Sequence, residues 1–142
     1  MLRVEHRAGI AAPVETVWDL IADLESWPRW HPLTVRAQGG LALGAPIEVV
    51  EKLGEAERAV TFRVHDWTPY EHLHLIQPRG LFGARSIRYL EVEKVGPANT
   101  IVAVGEAFDG YFAKQALRRE HRFLKAGFEG AALSLKAEAE RA

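Results

Sequence analysis

Hydrophobic and polar residues alternate over the first ten positions of the chain. One side of the alternation holds Leu2, Val4, His6, Ala8 and Ile10, and the other holds Arg3, Glu5, Arg7 and Gly9. A period of two residues is typical of a strand with one buried and one solvated face. The pattern therefore predicts a strand over residues 2–10 whose buried face includes His6.

The spacing of apolar residues becomes helical directly after this strand. Pro13 suits the first position of a helix, and apolar residues repeat on one face over residues 14–21. Residues 27–32, Trp-Pro-Arg-Trp-His-Pro, then concentrate indoles and prolines. We predict a short amphipathic helix followed by a second short helix or turn.

Turn residues, mostly glycine and proline, divide the middle of the chain into short runs rich in β-branched and aromatic residues. Such runs between turns are typical of antiparallel strands. We predict strands near residues 33–38, 46–53, 57–67, 71–77, 84–95 and 99–108. Together with the first strand they give an antiparallel sheet of six to seven strands, mostly joined as hairpins.

From Tyr111 to about Glu140 the apolar residues again follow a helical period. The predicted buried stripe of this helix comprises Leu117, His121, Leu124, Phe128, Ala131 and Leu135. A helix of this length extends about 43 Å, which is enough to cross a sheet. The order of elements predicts a single α+β domain over residues 1–142, with the sheet against a long carboxy-terminal helix.

Composition restricts the classes of function. Lys plus Arg number 18 and Asp plus Glu number 19, so the formal net charge of −1 lacks the basic excess of a nucleic-acid-binding protein. The absence of cysteine excludes disulfides and thiol chemistry. The sequence shows neither a secretory signal nor an apolar run long enough for a membrane span, so we expect a cytoplasmic location.

Several segments resemble the START-like polyketide cyclase/dehydrase superfamily (SRPBCC), which shares the helix-grip fold of the birch pollen allergen. They are Ala12-Pro-Val-Glu-Thr-Val-Trp18 with the Trp-Pro-Arg-Trp that follows, Phe108-Asp-Gly110, and the ending from Leu133 to Glu140. The resemblance implies a curved sheet wrapped on the last helix around an apolar cavity. It implies no single chemistry, because the superfamily holds binding proteins, transfer proteins and enzymes.

Arg88 and Glu106 are the first candidates for a polar site inside the fold. If the turn at residues 96–98 places Leu90 opposite Val104, then Arg88 faces Glu106 on the buried side of two adjacent strands. The pair is either a ligand-facing group or a structural ion pair that fixes the strand register.

His6 and His121 complete the polar set, because they fall on the predicted buried faces of the first strand and the last helix. Each is either a catalytic candidate beside Arg88 and Glu106 or a core histidine with one hydrogen bond.

The apolar candidates for a ligand-binding surface are Trp30, Phe62, Phe82, Gly127 and Phe128. Trp30 and Phe82 lie in loop-like segments, which suits the mouth of a cavity. Glycine inside a helix costs about 1 kcal/mol relative to alanine. Gly127 therefore either leaves room for a ligand or allows close packing, and the aromatic residues are either ligand contacts or ordinary core.

Three histidines raise the possibility of a metal site. His65, His72 and His74 could approach one another near the turn at residues 68–71. However, the alternation with leucine places His72 and His74 on the outer face, and a functional site also requires groups that orient its ligands. We therefore expect no metal and no cofactor, and the sequence contains no recognisable catalytic motif.

Three functions remain. The first is a carrier or binding protein for a small hydrophobic molecule, such as a polyketide, lipid, quinone or terpenoid. The second, implied by the resemblance, is a polyketide cyclase, dehydratase or aromatase in which Arg88 stabilises an enolate oxygen and His6 or His121 moves a proton. The third is a protein–protein regulatory module. The expected partner is a small hydrophobic molecule, with no nucleic acid, and a homodimer is compatible with the sequence.

Overall fold

Seven antiparallel strands form one sheet in the computed structural model, which describes residues 2–80 and 83–142. The strands are β1 (Leu2–Ile10), β2 (Thr34–Gly39), β3 (Pro46–Leu53), β4 (Ala56–Thr68), β5 (His72–Pro78), β6 (Arg85–Gly96) and β7 (Asn99–Asp109). Their order in the sheet is β1-β7-β6-β5-β4-β3-β2. Each strand after β1 therefore pairs with its neighbour in sequence, and β1 closes on β7, which confirms the predicted antiparallel arrangement.

Helices lie on one face of this sheet. They are α1 (Val14–Ala22), a 3₁₀ turn (Leu24–Ser26), α2 (Trp27–Trp30) and α3 (Ala113–Arg141). α3 packs mainly on β1 and β7, and α1 and α2 pack against α3. The predicted α+β helix-grip architecture is confirmed, with the core between the sheet and α3. Among the described residues, no helix has the length and apolar character that crossing a membrane requires.

The tryptophan-rich segment after α1 is part of the core. The Trp27 indole N–H donates to the Ile21 carbonyl over 2.9 Å, and the Trp30 indole N–H donates to Ser26 Oγ over 3.2 Å. Trp30 is only 1% exposed. The prediction that Trp30 lies at the mouth of a cavity is therefore wrong, because its ring is buried in the core and its indole N–H is hydrogen-bonded there.

The register between β6 and β7 is the predicted one. Leu90 lies opposite Val104, and Arg88 lies opposite Glu106. Both charged side chains are buried, with relative exposures of 4% and 0%. Two strands thus place a charged pair on the face that packs against α3.

The buried stripe at the start of α3 is displaced by one residue from the prediction. Ala116 and Glu120 are buried, whereas His121 is exposed and Leu117 is only half-buried. Hydrophobicity alone selects Leu117 and His121, but Glu120 has charged partners inside the fold that determine the rotation of the helix. The prediction that His121 faces the interior is wrong.

Gly127 allows a close approach between α3 and the segment after α2. A β-carbon built at Gly127 would lie 2.5 Å from Leu33 Cγ, which is far closer than van der Waals contact. Leu33 occupies the space that the sequence analysis considered for a ligand. The close-packing alternative therefore holds at this position.

Candidate ligand-binding site

Six charged side chains form a closed ring inside the protein, with arginine and glutamate alternating. We call this arrangement the charged ring. In order, its members are Arg58, Glu51, Arg88, Glu106, Arg79 and Glu120, and Glu120 returns to Arg58. Every guanidinium contacts two carboxylates and every carboxylate contacts two guanidiniums, so the three positive and three negative charges balance.

Arg88 occupies the innermost position of the charged ring. Its Nε donates to Glu106 Oε1 over 2.9 Å, and its Nη1 donates to Glu51 Oε2. Glu51 and Glu106 are both completely buried. β6 supplies the arginine, and β3 and β7 supply the carboxylates, so Arg88 joins strands that are not neighbours in the sheet.

Arg79, which follows β5 directly, connects the sheet to the helix. Its Nη2 donates to Glu106 Oε2 over 2.6 Å and its Nη1 donates to Glu120 Oε2 over 2.7 Å. The remaining Nε donates to Ser86 Oγ over 2.8 Å. Since its side chain is only 6% exposed, Arg79 fixes Glu120 of α3 over the sheet in a nearly dry environment.

Arg58 closes the charged ring at its most accessible point. It lies opposite Glu51 in the β3–β4 register and donates to Glu51 Oε1 through Nε and Nη2, over 2.9 and 2.7 Å. Its Nη2 also donates to Glu120 Oε1 over 3.0 Å. The Arg58 side chain is 33% exposed, against 5% for Arg88. The charged ring therefore has a dry inner end at Arg88 and an outer edge at Arg58 and Glu120.

The charged ring keeps its innermost groups ionised. Burial by itself raises the pKa of Glu51, but Arg88 and Arg58 outweigh burial and hold the pKa at about 2. At Glu106, burial alone would raise the pKa, but the charges of Arg88 and Arg79 outweigh burial. The pKa of that carboxyl is therefore also lowered. The two glutamates raise the pKa of Arg88 despite its burial. At neutral pH these three groups carry full charges.

One N–H group of Arg88 lacks an acceptor among the described residues. Arg88 Nη2 lies 2.9 Å from Glu106 Oε1, but the direction of its N–H bonds does not produce a hydrogen bond there. The guanidinium carbon lies 5.0 Å from the centre of the Phe62 ring and 5.6 Å from that of Phe128. The guanidinium that carries this donor therefore lies near two aromatic faces, which favour a cation beside them.

His31 adds a neutral imidazole beside this group. Burial, reinforced by the positive charge of Arg88, lowers the pKa of His31 to about 3. Its ring stacks on Trp27 with centroids 6.0 Å apart and meets the edge of Phe128 at 6.3 Å. The Leu33 backbone N–H donates to its Nδ1 over 3.3 Å. His31 is therefore neutral at pH 7, and because its Nδ1 accepts from Leu33, its Nε2 carries the hydrogen and can donate a hydrogen bond, but the ring does not supply an imidazolium acid.

The structure brings together four of the residues that the sequence analysis selected. These are Phe62, Arg88, Glu106 and Phe128. His6 is half-buried on the inner face of β1, and exposed His121 is remote from the interior. Phe82 lies outside the described residues.

The sequence analysis missed Glu51, Arg58, Arg79 and Glu120. A signal was present for the first two. Glu51 shares the buried face of β3 with Ile47 and Val49. Arg58 lies two residues before the buried Val60, so the alternation places it on the buried face of β4. Arg79 stands beyond the end of β5, so the alternation in the strand does not determine the direction of its side chain.

The grooves found over the described residues lie at the surface, and none of them is lined by Arg88 or Glu106. One groove of about 440 Å³ runs between α3 and the segment after α2, beside Leu33, Phe123 and Gly127. None of these five grooves is lined by any other member of the charged ring.

The fold and a buried polar centre under a long helix define a helix-grip protein. The family profile "Polyketide cyclase / dehydrase and lipid transport" matches residues 1–140, and the chain belongs to this family. A search of curated proteins gave no match.

Solved structures share this fold at low sequence identity. The aromatase/cyclase ZhuI from Streptomyces sp. R1128 aligns with a TM-score of 0.77 at 17% identity, covering 99% of this chain and 94% of that one. The di-domain ARO/CYC protein BexL of the BE-7585A biosynthetic pathway gives 0.76 at 21% identity. That alignment covers 99% of this chain, which spans about half (47%) of BexL. A START superfamily protein from Mycobacterium smegmatis gives 0.69 at 16% identity, covering 98% and 97% of the two chains.

Proposed function

We propose that the protein binds a small, largely apolar molecule that carries an oxygen acceptor, with that oxygen on Arg88 and the apolar part between the sheet and α3. The observation that carries the proposal is the buried Arg88 guanidinium, which lies near the rings of Phe62 and Phe128 and whose Nη2 forms an ion pair with Glu106 at 2.9 Å but makes no aligned hydrogen bond among the described residues. Since buried donors are nearly always hydrogen-bonded, this N–H group has the capacity to donate to a ligand oxygen.

The cost of the charged ring supports a functional role. Removing charges from water costs several kcal/mol per ion, and well-packed apolar residues of similar volume are often equally stabilising or better. A core between a sheet and a helix therefore does not need this ring of charges for stability. A preorganised guanidinium held by two carboxylates is, in contrast, a suitable anchor for a carbonyl, enolate or carboxylate oxygen.

The outer edge of the charged ring provides the route by which we expect a ligand to enter. Arg58 is the most exposed member, and it contacts Glu120 of α3. We expect separation of this pair to open the interior between β4 and the first turns of α3 while the inner contacts of Arg88 remain in place. The ligand class fits the family, whose description includes lipid transport, and polyketides, quinones and terpenoids also combine apolar surface with an oxygen acceptor.

A cyclase, dehydratase or aromatase is the second candidate, and the resemblance to the fold of ZhuI favours it. Arg88 is suitably placed to stabilise a developing oxyanion. Such reactions also require a group that moves a proton, whose pKa ideally lies near the working pH. Glu51 and His31 have pKa values of about 2 and about 3, and His121 is exposed. Binding is therefore better supported than acid–base catalysis.

A matched pair of probes tests the proposal. In 2-isopropenylnaphthalene a CH₂ group replaces the carbonyl oxygen of 2-acetylnaphthalene, so the two molecules have nearly the same shape. A hydrogen bond to a charged group contributes roughly 1.5–3 kcal/mol. We expect the ketone to bind at least about tenfold more tightly, as measured by quenching of tryptophan fluorescence. Equal affinity for both probes, or binding of neither, would overturn the proposal.

A further inference from the structure

A second cluster of functional side chains lies on the opposite face of the sheet from the charged ring. His72 and His74 are two residues apart on β5, and both are half-buried on the outer face, because Leu73 and Leu75 occupy the inner one. Their ring centroids are 4.7 Å apart. Two imidazoles that share one face of a rigid strand provide the nitrogen donors that Zn²⁺ prefers.

A β-bulge in β4 brings a carboxylate to the two histidines. The β4–β5 register shifts between Val64 and Asp66, so that Asp66 lies opposite His74. Bulges reorient side chains in this way, and the alternation in sequence does not reveal them. The sequence made His65 a possible neighbour of the two histidines, whereas the residue that the bulge places opposite His74 is Asp66.

The three side chains are close enough to share one ion. One ligand atom from each of Asp66, His72 and His74 lies within 4.8 Å of the other two. His72 Nε2 is already 3.1 Å from Asp66 Oδ2. In a tetrahedral zinc site, metal–ligand bonds of about 2.0–2.1 Å place the ligand atoms roughly 3.3 Å apart. Small side-chain rotations suffice to reach that geometry.

Glu91 supplies the orienting group whose absence argued against a metal in the sequence analysis. It lies opposite His72 on β6, and its Oε2 is 2.8 Å from His74 Nε2. A histidine that binds a metal through one ring nitrogen commonly donates the N–H of the other to a carboxylate. Glu91 therefore fixes the His74 ring through Nε2 and leaves Nδ1 as the nitrogen available to a metal ion.

We propose that Asp66, His72 and His74 bind one Zn²⁺ ion on the outer face of the sheet, with Glu91 orienting His74. The site is independent of the charged ring, because the sheet itself separates the two faces. Its donor set, two imidazole nitrogens and one carboxylate oxygen, leaves a fourth position for a water or substrate oxygen.

Titration calorimetry with ZnCl₂ tests the site on the untagged full-length chain after dialysis against EDTA. We expect one ion per chain, and a loss of at least tenfold in affinity for each of Asp66→Asn, His72→Gln and His74→Gln. Glu91→Gln should reduce the affinity by about tenfold through the orientation of His74. His65→Gln is the matched control, because His65 is exposed and adjacent to Asp66, and it should bind zinc like the wild type.

Co²⁺ provides a second measurement, since a tetrahedral site of this kind gives visible absorption bands that the Asp66→Asn variant should lack. Each substitution is at the surface, and circular dichroism will establish that the variants fold. Zinc binding that is absent in the wild type, or unchanged by Asp66→Asn, would overturn the three-ligand centre. Loss of binding in the His65→Gln control would overturn it as well.

Discussion

Arg88 and Glu106 lie directly opposite each other on β6 and β7, and Arg88 Nε donates to Glu106 Oε1 over 2.9 Å in the interior of the protein. The same two strands carry a second pair, Arg85 opposite Asp109, whose side chains are 54% and 47% exposed. Strand geometry and charge type are similar in the two pairs, but the Arg88–Glu106 pair is buried and Glu106 also contacts Arg79. The contrast therefore measures the combined effect of burial and of the second arginine.

Glu106→Gln should destabilise the protein by roughly 3–5 kcal/mol, because it leaves Arg88 and Arg79 buried with an uncompensated charge. Asp109→Asn should cost under about 1 kcal/mol, because water screens the exposed pair. Urea unfolding measures both. A small cost for Glu106→Gln would mean that water reaches Arg88 and that the charged ring is not dry.

Gly127→Ala should destabilise the protein by about 1–3 kcal/mol through overpacking, although alanine is the better helix former. The added methyl group would lie 2.5 Å from Leu33 Cγ. In a Leu33→Ala background, the same substitution should be neutral or stabilising, since the obstructing side chain is gone. Thermal or urea unfolding of the wild type, the two single variants and the double variant measures these effects. An equal loss of stability from Gly127→Ala in both backgrounds would contradict the packing account.

His31 should make stability depend on pH in a window that begins about two pH units above that of Glu51. Its pKa is lowered from 6.5 to about 3 in the folded protein, so the unfolded state binds the proton more readily. The stabilisation is complete above pH 6.5 and is lost as the pH falls toward 3, at about 1.4 kcal/mol per pH unit. His31→Gln should remove this dependence between pH 6.5 and 5. A ring carbon that titrates near pH 6.5 by NMR would refute the assignment.

By the same reasoning, Glu51 should make the free energy of unfolding depend on pH over a lower range of pH. Because its pKa is lowered from 4.5 to about 2, its contribution is present above pH 4.5 and is lost as the pH falls to about 2. The free energy of unfolding should therefore continue to fall below pH 4.5 in the wild type, and Glu51→Gln should flatten that part of the curve. If the free energy of unfolding of a folded Glu51→Gln variant fell below pH 4.5 as it does in the wild type, the ionised carboxylate would not stabilise the fold.

Opening the outer edge of the charged ring should accelerate ligand entry. The double substitution of Arg58→Gln and Glu120→Gln leaves the net charge unchanged and removes the ionic contact between β4 and α3, together with the ion pairs Arg58–Glu51 and Arg79–Glu120. We expect faster association of 2-acetylnaphthalene in stopped-flow fluorescence. The control is the exposed pair Lys136→Gln with Glu140→Gln on the same helix, which should leave the rate unchanged. An equal rate in both variants would place the entry route elsewhere.

Much of this fold and part of the site follow from alternation along the strands. Arg88 and Glu106 were predictable because each stands among apolar neighbours on the buried face of its strand, and a short hairpin turn sets their register. The same rule, applied to β3 and β4, would have identified Glu51 and Arg58. The rule fails for Arg79, which lies beyond a strand, and for Glu120, since helical hydrophobicity favours the face that contains His121.

The bulge between Val64 and Asp66 and the packing of Leu33 on Gly127 were beyond sequence reasoning for a different reason. Both depend on how two distant segments meet, and no local pattern of apolar residues encodes that distance. For this reason the sequence pointed to His65 where the structure has Asp66, and it left both a ligand and close packing open at Gly127.

The most direct test of the proposed binding site is an NMR titration of ¹⁵N-arginine-labelled protein with 2-acetylnaphthalene. The account predicts that the side-chain N–H signals of Arg88 shift on binding and that contacts appear between the naphthalene protons and the rings of Phe62 and Phe128. Shifts confined to Arg122, Phe123 and Leu33, beside the surface groove, with Arg88 unchanged, would contradict it.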